Sequence, residues 1–140
     1  MRNDALKKLH TSLIDVRRGY DEAARDAETP ELSRLFREMS DMHRAHHADV
    51  DAMLRAYGET PDEGGSLMTE VHKSVIAVRA AVTGLSGALG AFAGGEERVE
   101  KSYDEAIAGQ SPGAARDTLM RHRAEVAAKA AALKTMADAR

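Results

Sequence analysis

Apolar residues recur at alternating steps of three and four along almost the whole of this 140-residue chain. That spacing is the period of an α-helix, and no stretch shows the every-second-residue alternation of a half-buried strand. Alanine, the strongest helix former, supplies 26 residues, whereas valine, isoleucine, threonine, tyrosine and phenylalanine together supply 23. The sequence therefore predicts an all-α fold. We expect a single domain over residues 1–140, because two domains of half this length would bury too little core.

Proline and glycine divide the chain into five predicted helices. Thr29-Pro30 and Ser111-Pro112 each place a capping residue before a proline, which is typical of a helix start. The predicted helices are 3–27, 31–57, 67–83, 86–108 and 113–138. Residues predicted to face inward include Leu13, Tyr20, Leu35, Met39, Tyr103 and Val126. Residues predicted to face solvent include His10, Glu22, His47, His72 and Glu105.

A short motif occurs twice in the sequence. Tyr20-Asp21-Glu22-Ala23 on the first helix is repeated as Tyr103-Asp104-Glu105-Ala106 on the fourth. Each copy leads into a turn that contains proline and then into a long helix. The two helix pairs are separated by a connection of about 30 residues that holds the short helix 67–83. This order predicts a ferritin-like four-helix bundle, with a long crossover containing an extra short helix.

Several motifs in a fixed order resemble those of a known family. They are Gly19-Tyr20-Asp21-Glu22-Ala23-Ala24, Thr29 to Arg37, Gly58 to Ser66, Val78 to Gly84, Gly95-Glu96-Glu97 and Tyr103-Asp104-Glu105-Ala106. The set covers nearly the whole chain and is similar to a bacterial family of small four-helix bundles, a domain of unknown function within the ferritin-like superfamily. The resemblance implies the bundle fold and carries no activity.

Polar residues on the apolar stripes are the candidate metal ligands. Ferritin-like di-iron sites use Glu-x-x-His pairs, and no glutamate or aspartate here is followed by histidine three residues later. Histidine and carboxylate side chains nevertheless occur at or beside core positions: His43, His46, Glu96, His122 and Glu125. If they converge inside the bundle, their nitrogen and oxygen donors would suit iron, zinc or manganese. The alternative is a hydrogen-bonded network without an ion.

Charge and composition restrict the partners. The net charge of −3 argues against a nucleic-acid binder, which normally carries a basic face. The segment 74–95 has Arg79 as its only charge, but it is poor in leucine, isoleucine and phenylalanine, so we expect no membrane span. The absence of cysteine and of an apolar signal sequence at the N-terminus favours a cytoplasmic protein.

No nucleophilic triad and no phosphate-binding glycine loop occurs in the sequence. We therefore expect a non-enzymatic bundle without a cofactor that acts by assembly or by binding a protein partner. The alternative is a divergent ferritin-like protein that binds iron, zinc or manganese, with oxidative-stress chemistry as one form of that function. The apolar segment 75–95 predicts a homo-oligomer, through a contact that includes Val75, Val78, Val82 or Phe92.

Overall fold

The computed structural model describes residues 3–61 and 85–139. Within these ranges lie four helices and no strand. The helices are α1 (Asp4–Asp26), α2 (Pro30–Ala56), α3 (Leu85–Ala108) and α4 (Ala114–Asp138). The protein is an all-α four-helix bundle, as the sequence predicts. The bounds of these four helices are also confirmed to within one residue, whereas the predicted helix 67–83 lies outside the described residues.

Two helix starts that look alike in the sequence are built differently. At α2, the Thr29 side chain accepts a hydrogen bond from the Leu32 backbone N–H at 3.2 Å, and Pro30 occupies the first turn. At α4, the capping position is Gly113, which has no side chain to cap the helix and adopts a φ of 155°. The predicted start at residue 113 is therefore confirmed to within one residue, but Ser111 is wrong as the capping residue, because the helix begins two residues after the proline.

The chain divides into two compact units. One unit, His10–Val75, contains most of α1 and all of α2. The other unit, Met1–Leu9 with Ile76–Arg140, contains the start of α1 together with α3 and α4, which pack against each other. The single domain over 1–140 and the ferritin-like crossover both stay predictions.

The buried face of α2 differs from its predicted face. Phe36 is buried and Leu35 is only half-buried, so the prediction of Leu35 as a core residue is wrong. Further along α2, a step of three from Val50 predicts Met53 as the next inward residue, but Leu54 is buried and Met53 is half-buried. Neighbouring helical positions differ by about 100°, so a shift of one residue turns the apolar face by that angle. Met39 fits both faces and is buried as predicted.

Four other core predictions are confirmed. Leu13 on α1 and Val126 on α4 are buried, as are Tyr20 and Tyr103. Within the described ranges, none of the helices combines the length and the apolar character that a membrane span requires.

Candidate metal site

Three potential metal ligands meet between α1 and α2. His10 comes from α1, while His47 and Asp51 come from α2. His47 and Asp51 are four residues apart, and this spacing places two side chains on the same helical face. One donor atom from each of the three residues lies within 4.8 Å of the other two. The pairing of the helices therefore collects two imidazoles and one carboxylate in a small volume.

His10 is the most buried member of this cluster. Its side chain is 1% exposed, and its Nε2 lies 3.0 Å from Oδ1 of Asp51, within hydrogen-bonding distance. The imidazole of His47 lies beside it, with ring centroids 4.4 Å apart and ring planes inclined by 46°. A buried imidazole needs a polar partner, because removing it from water without one costs free energy. Asp51 supplies that partner from the neighbouring helix.

Asp51 also contacts Arg55, one turn further along α2. The Nε of Arg55 donates a hydrogen bond to Oδ2 of Asp51 at 2.7 Å. The two oxygens of this carboxylate therefore have different partners, since Oδ1 contacts His10 and Oδ2 contacts Arg55. Asp51 is 19% exposed and Arg55 is 56% exposed, so the cluster runs from a buried imidazole to a solvated guanidinium.

The donor set fits a transition metal. Two imidazoles and a carboxylate are ligands that iron(II) and zinc sites use. A metal bonded tetrahedrally to all three at about 2.0–2.2 Å would hold its donors about 3.3–3.6 Å from one another. The Nε2 of His10 and the Oδ1 of Asp51 are already 3.0 Å apart. Because the three donors lie within 4.8 Å, the remaining separations must shorten by up to about 1.5 Å when a metal binds. Fewer than four protein ligands also leave room for water or another small ligand.

Residues 1–109 match the family model described as Domain of unknown function (DUF2383). The chain belongs to that family. Membership confirms the resemblance seen in the sequence, while the bacterial origin and the ferritin-like superfamily stay predictions. The match includes all three residues of the cluster and ends before α4. No curated protein and no solved structure has significant similarity to the chain.

The sequence did not identify the cluster in this DUF2383 protein. His10 was expected at the surface, but it is buried beside Leu9, so that prediction is wrong. The buried face of α1 includes Leu6, Leu9, His10, Leu13 and Ile14, and is therefore wider than the single stripe used to predict it. His47 is half-buried, and His72 lies outside the described residues. The four-residue spacing of His47 and Asp51 was the one available signal.

Four of the five ligands predicted from sequence are buried. His43 and His46 lie on α2, Glu96 lies on α3, and His122 lies on α4. Glu125, also on α4, is exposed. Within one unit, the rings of His43 and His46 meet edge to face with centroids 6.2 Å apart. The convergence of these residues on one ion stays a prediction, and the cluster at His10 contains none of them.

In each of the two units of the DUF2383 protein, a buried tyrosine lies against a histidine. Tyr20 stacks on His43, with ring centroids 5.9 Å apart. Tyr103 meets His122 at 5.8 Å, and its hydroxyl lies 3.2 Å from Nδ1 of that histidine. When Nδ1 carries no proton, the hydroxyl donates to it. The equivalent tyrosines of the sequence repeat thus have equivalent aromatic partners.

The residues that follow these tyrosines and histidines also pair. Arg123 donates hydrogen bonds to both carboxylate oxygens of Asp104, at 2.8 and 3.4 Å. In the other unit, Arg44 lies 3.9 Å from Asp21. The hydrogen bond from Arg123 to Asp104 raises the pKa of the Arg123 guanidinium. Each helix pair therefore has a tyrosine facing a histidine and an aspartate facing an arginine.

Proposed function

We propose that this protein is a helical-bundle metal-binding protein whose site consists of His10, His47 and Asp51. The observation that supports this proposal is the proximity of the donors: one donor atom from each of the three side chains, on two helices, lies within 4.8 Å of the other two. This proposal takes up the metal-binding alternative from the sequence but uses different residues. Iron, zinc and manganese remain the candidate ions, and the two imidazoles favour iron or zinc over manganese.

The position of the site supports binding rather than accidental proximity. His10 is held in place by the packing of α1, since Leu6, Leu9 and Leu13 around it are all buried. His47 and Asp51 are carried on one face of a 27-residue helix. A site built on two packed helices keeps its donors close before the ion arrives, so little ordering cost opposes binding.

The test is a titration of the metal-free, untagged full chain with Co²⁺ and Zn²⁺, followed by calorimetry and by visible absorption of Co²⁺. We expect one ion per chain. His10→Gln and Asp51→Asn should each weaken binding by at least about tenfold, because each removes one of three donors. The matched control is His122→Gln, which changes a buried histidine outside the cluster and should leave the affinity unchanged. Absence of binding by the wild-type chain would contradict the proposal.

Self-association is a second proposal, carried over from the apolar segment 75–95. Val75, Val78 and Val82 lie outside the described residues, whereas Phe92 is half-buried on α3. We infer that part of the Phe92 ring is accessible to a second copy. Light scattering at micromolar concentration tests this, because a homo-oligomer would exceed the 15.1 kDa of one chain. The cytoplasm is the compartment we propose, on the sequence grounds given above.

A further inference from the structure

The two carboxylate oxygens of Asp51 have different partners, and this arrangement affects which metals the site can bind. Its Oδ1 faces His10 at 3.0 Å, on the buried side of the cluster. Its Oδ2 accepts from Arg55 Nε at 2.7 Å, on the exposed side. This distance lies at the short end of the range for hydrogen bonds between charged groups. A metal that enters beside His10 therefore meets one oxygen of Asp51 while the other is already occupied by Arg55.

We infer that Arg55 is a positioning residue that makes Asp51 a one-oxygen ligand and thereby selects ions of low coordination number. This inference rests on the proposed metal site. Zinc, iron(II) and cobalt(II) accept imidazoles together with a single carboxylate oxygen. Manganese and calcium favour more oxygen donors and often take both oxygens of one carboxylate. With Oδ2 bound to Arg55, the cluster offers only two nitrogens and one oxygen.

Arg55 also affects the charge of the site. A divalent ion bound by neutral imidazoles and one carboxylate keeps a formal charge of about +1, and the guanidinium adds another positive charge beside it. Removing Arg55 should therefore strengthen the binding of every divalent ion through charge alone. A change in denticity has a different signature, because it strengthens Mn²⁺ binding more than Co²⁺ binding. The ratio of the two affinities separates the two effects.

The experiment compares Co²⁺ and Mn²⁺ binding by the full-length wild-type chain and by Arg55→Gln. We expect Arg55→Gln to lower the preference for Co²⁺ over Mn²⁺ by at least about threefold, since Asp51 can then use both oxygens. The visible spectrum of bound Co²⁺ should also weaken, as it does when the coordination number of Co²⁺ rises. The matched control is Arg123→Gln, which removes another arginine–aspartate pair of similar length, in the other compact unit.

The outcomes distinguish this inference from the proposal beneath it. If the wild-type chain binds neither ion, the metal site itself is wrong. If the wild-type chain binds Co²⁺ but Arg55→Gln changes both affinities by the same factor, Arg55 acts through charge alone and the inference about denticity is overturned. A shift of equal size in Arg123→Gln would overturn it as well, because that arginine pairs with Asp104 in the other unit.

Discussion

His10 and Asp51 are separated by 41 positions in the chain, yet His10 Nε2 lies 3.0 Å from Asp51 Oδ1. The contact joins α1 to α2 within one compact unit and brings the only member of the cluster that is almost fully buried against a carboxylate. It satisfies the buried imidazole and, together with His47, assembles the donors of the proposed metal site. The same contact therefore belongs both to the packing of the helix pair and to the proposed metal site.

His10→Ala should destabilise the metal-free protein. The substitution leaves a cavity between α1 and α2 and removes one of the partners of the Asp51 carboxylate, which is 19% exposed. We expect a loss of about 1–3 kcal/mol in the free energy of unfolding, measured by urea denaturation in the presence of a chelator. Asp51→Asn should cost less, since the amide oxygen can still accept from His10. A loss below about 0.5 kcal/mol for His10→Ala would show that the packing around it is loose.

Tyr103→Phe tests the buried contact with His122. The ring is kept, so the change isolates the 3.2 Å hydrogen bond between the tyrosine hydroxyl and Nδ1. We expect a loss of about 1–3 kcal/mol, because the imidazole of His122 is buried and loses that partner. Asp104→Asn, at the neighbouring exposed ion pair, should change stability by less than about 1 kcal/mol. Equal effects of the two substitutions in thermal unfolding would argue against the hydrogen bond.

The third prediction concerns which face of α2 is buried. Phe36 is buried and Leu35 is half-buried. Phe36→Ala should therefore cost about 3–5 kcal/mol, and Leu35→Ala clearly less, because only the first creates a large cavity in the core. Chemical denaturation of the two variants provides the comparison. A larger loss of stability in Leu35→Ala than in Phe36→Ala would show that Leu35 faces the core, as the periodicity of the sequence predicted.

The sequence predicts the helices well because their signals are local. Steps of three and four, the Thr29-Pro30 start and the loop after Gly58 all act within a few residues, and the resulting bounds agree with the structure. The error at Leu35 has the same origin. Leu32, Leu35 and Phe36 are all apolar, so spacing alone cannot decide which side of that row faces inward. Packing against a second helix decides it.

The candidate site was harder to predict because it depends on a contact between helices. Nothing local to His10 indicates a partner, and one histidine next to Leu9 fits a surface position as easily as a buried one. His43, His46, Glu96 and His122 were correctly placed inside, since each lies on or beside an apolar stripe. The burial of a residue can be predicted from the periodicity of its own helix. Whether residues converge on one ion depends on how two helices are oriented about their axes relative to each other, and the pattern of one helix does not contain that information.

A comparison of the wild-type chain with His47→Gln separates metal binding from structural support. Saturating Zn²⁺ at 100 times its dissociation constant should raise the stability of the wild-type chain by about 2.7 kcal/mol. At the same Zn²⁺ concentration, His47→Gln should remove at least about half of this gain, since a tenfold weaker affinity leaves about 1.4 kcal/mol. The substitution should change the stability of the metal-free chain little, because His47 is only half-buried. Thermal unfolding with and without Zn²⁺ provides the measurement. A gain that survives in His47→Gln would place the ion elsewhere.

The most direct test of the metal site is X-ray absorption of the Zn²⁺-loaded full chain. The account predicts nitrogen and oxygen ligands at about 2.0–2.2 Å, with the outer-shell scattering of two imidazoles. In His10→Gln, that scattering should fall to the level of one imidazole. Scattering from a different number of imidazoles in the wild-type chain, or an unchanged signal in His10→Gln, would contradict the assignment of His10, His47 and Asp51 as the ligands.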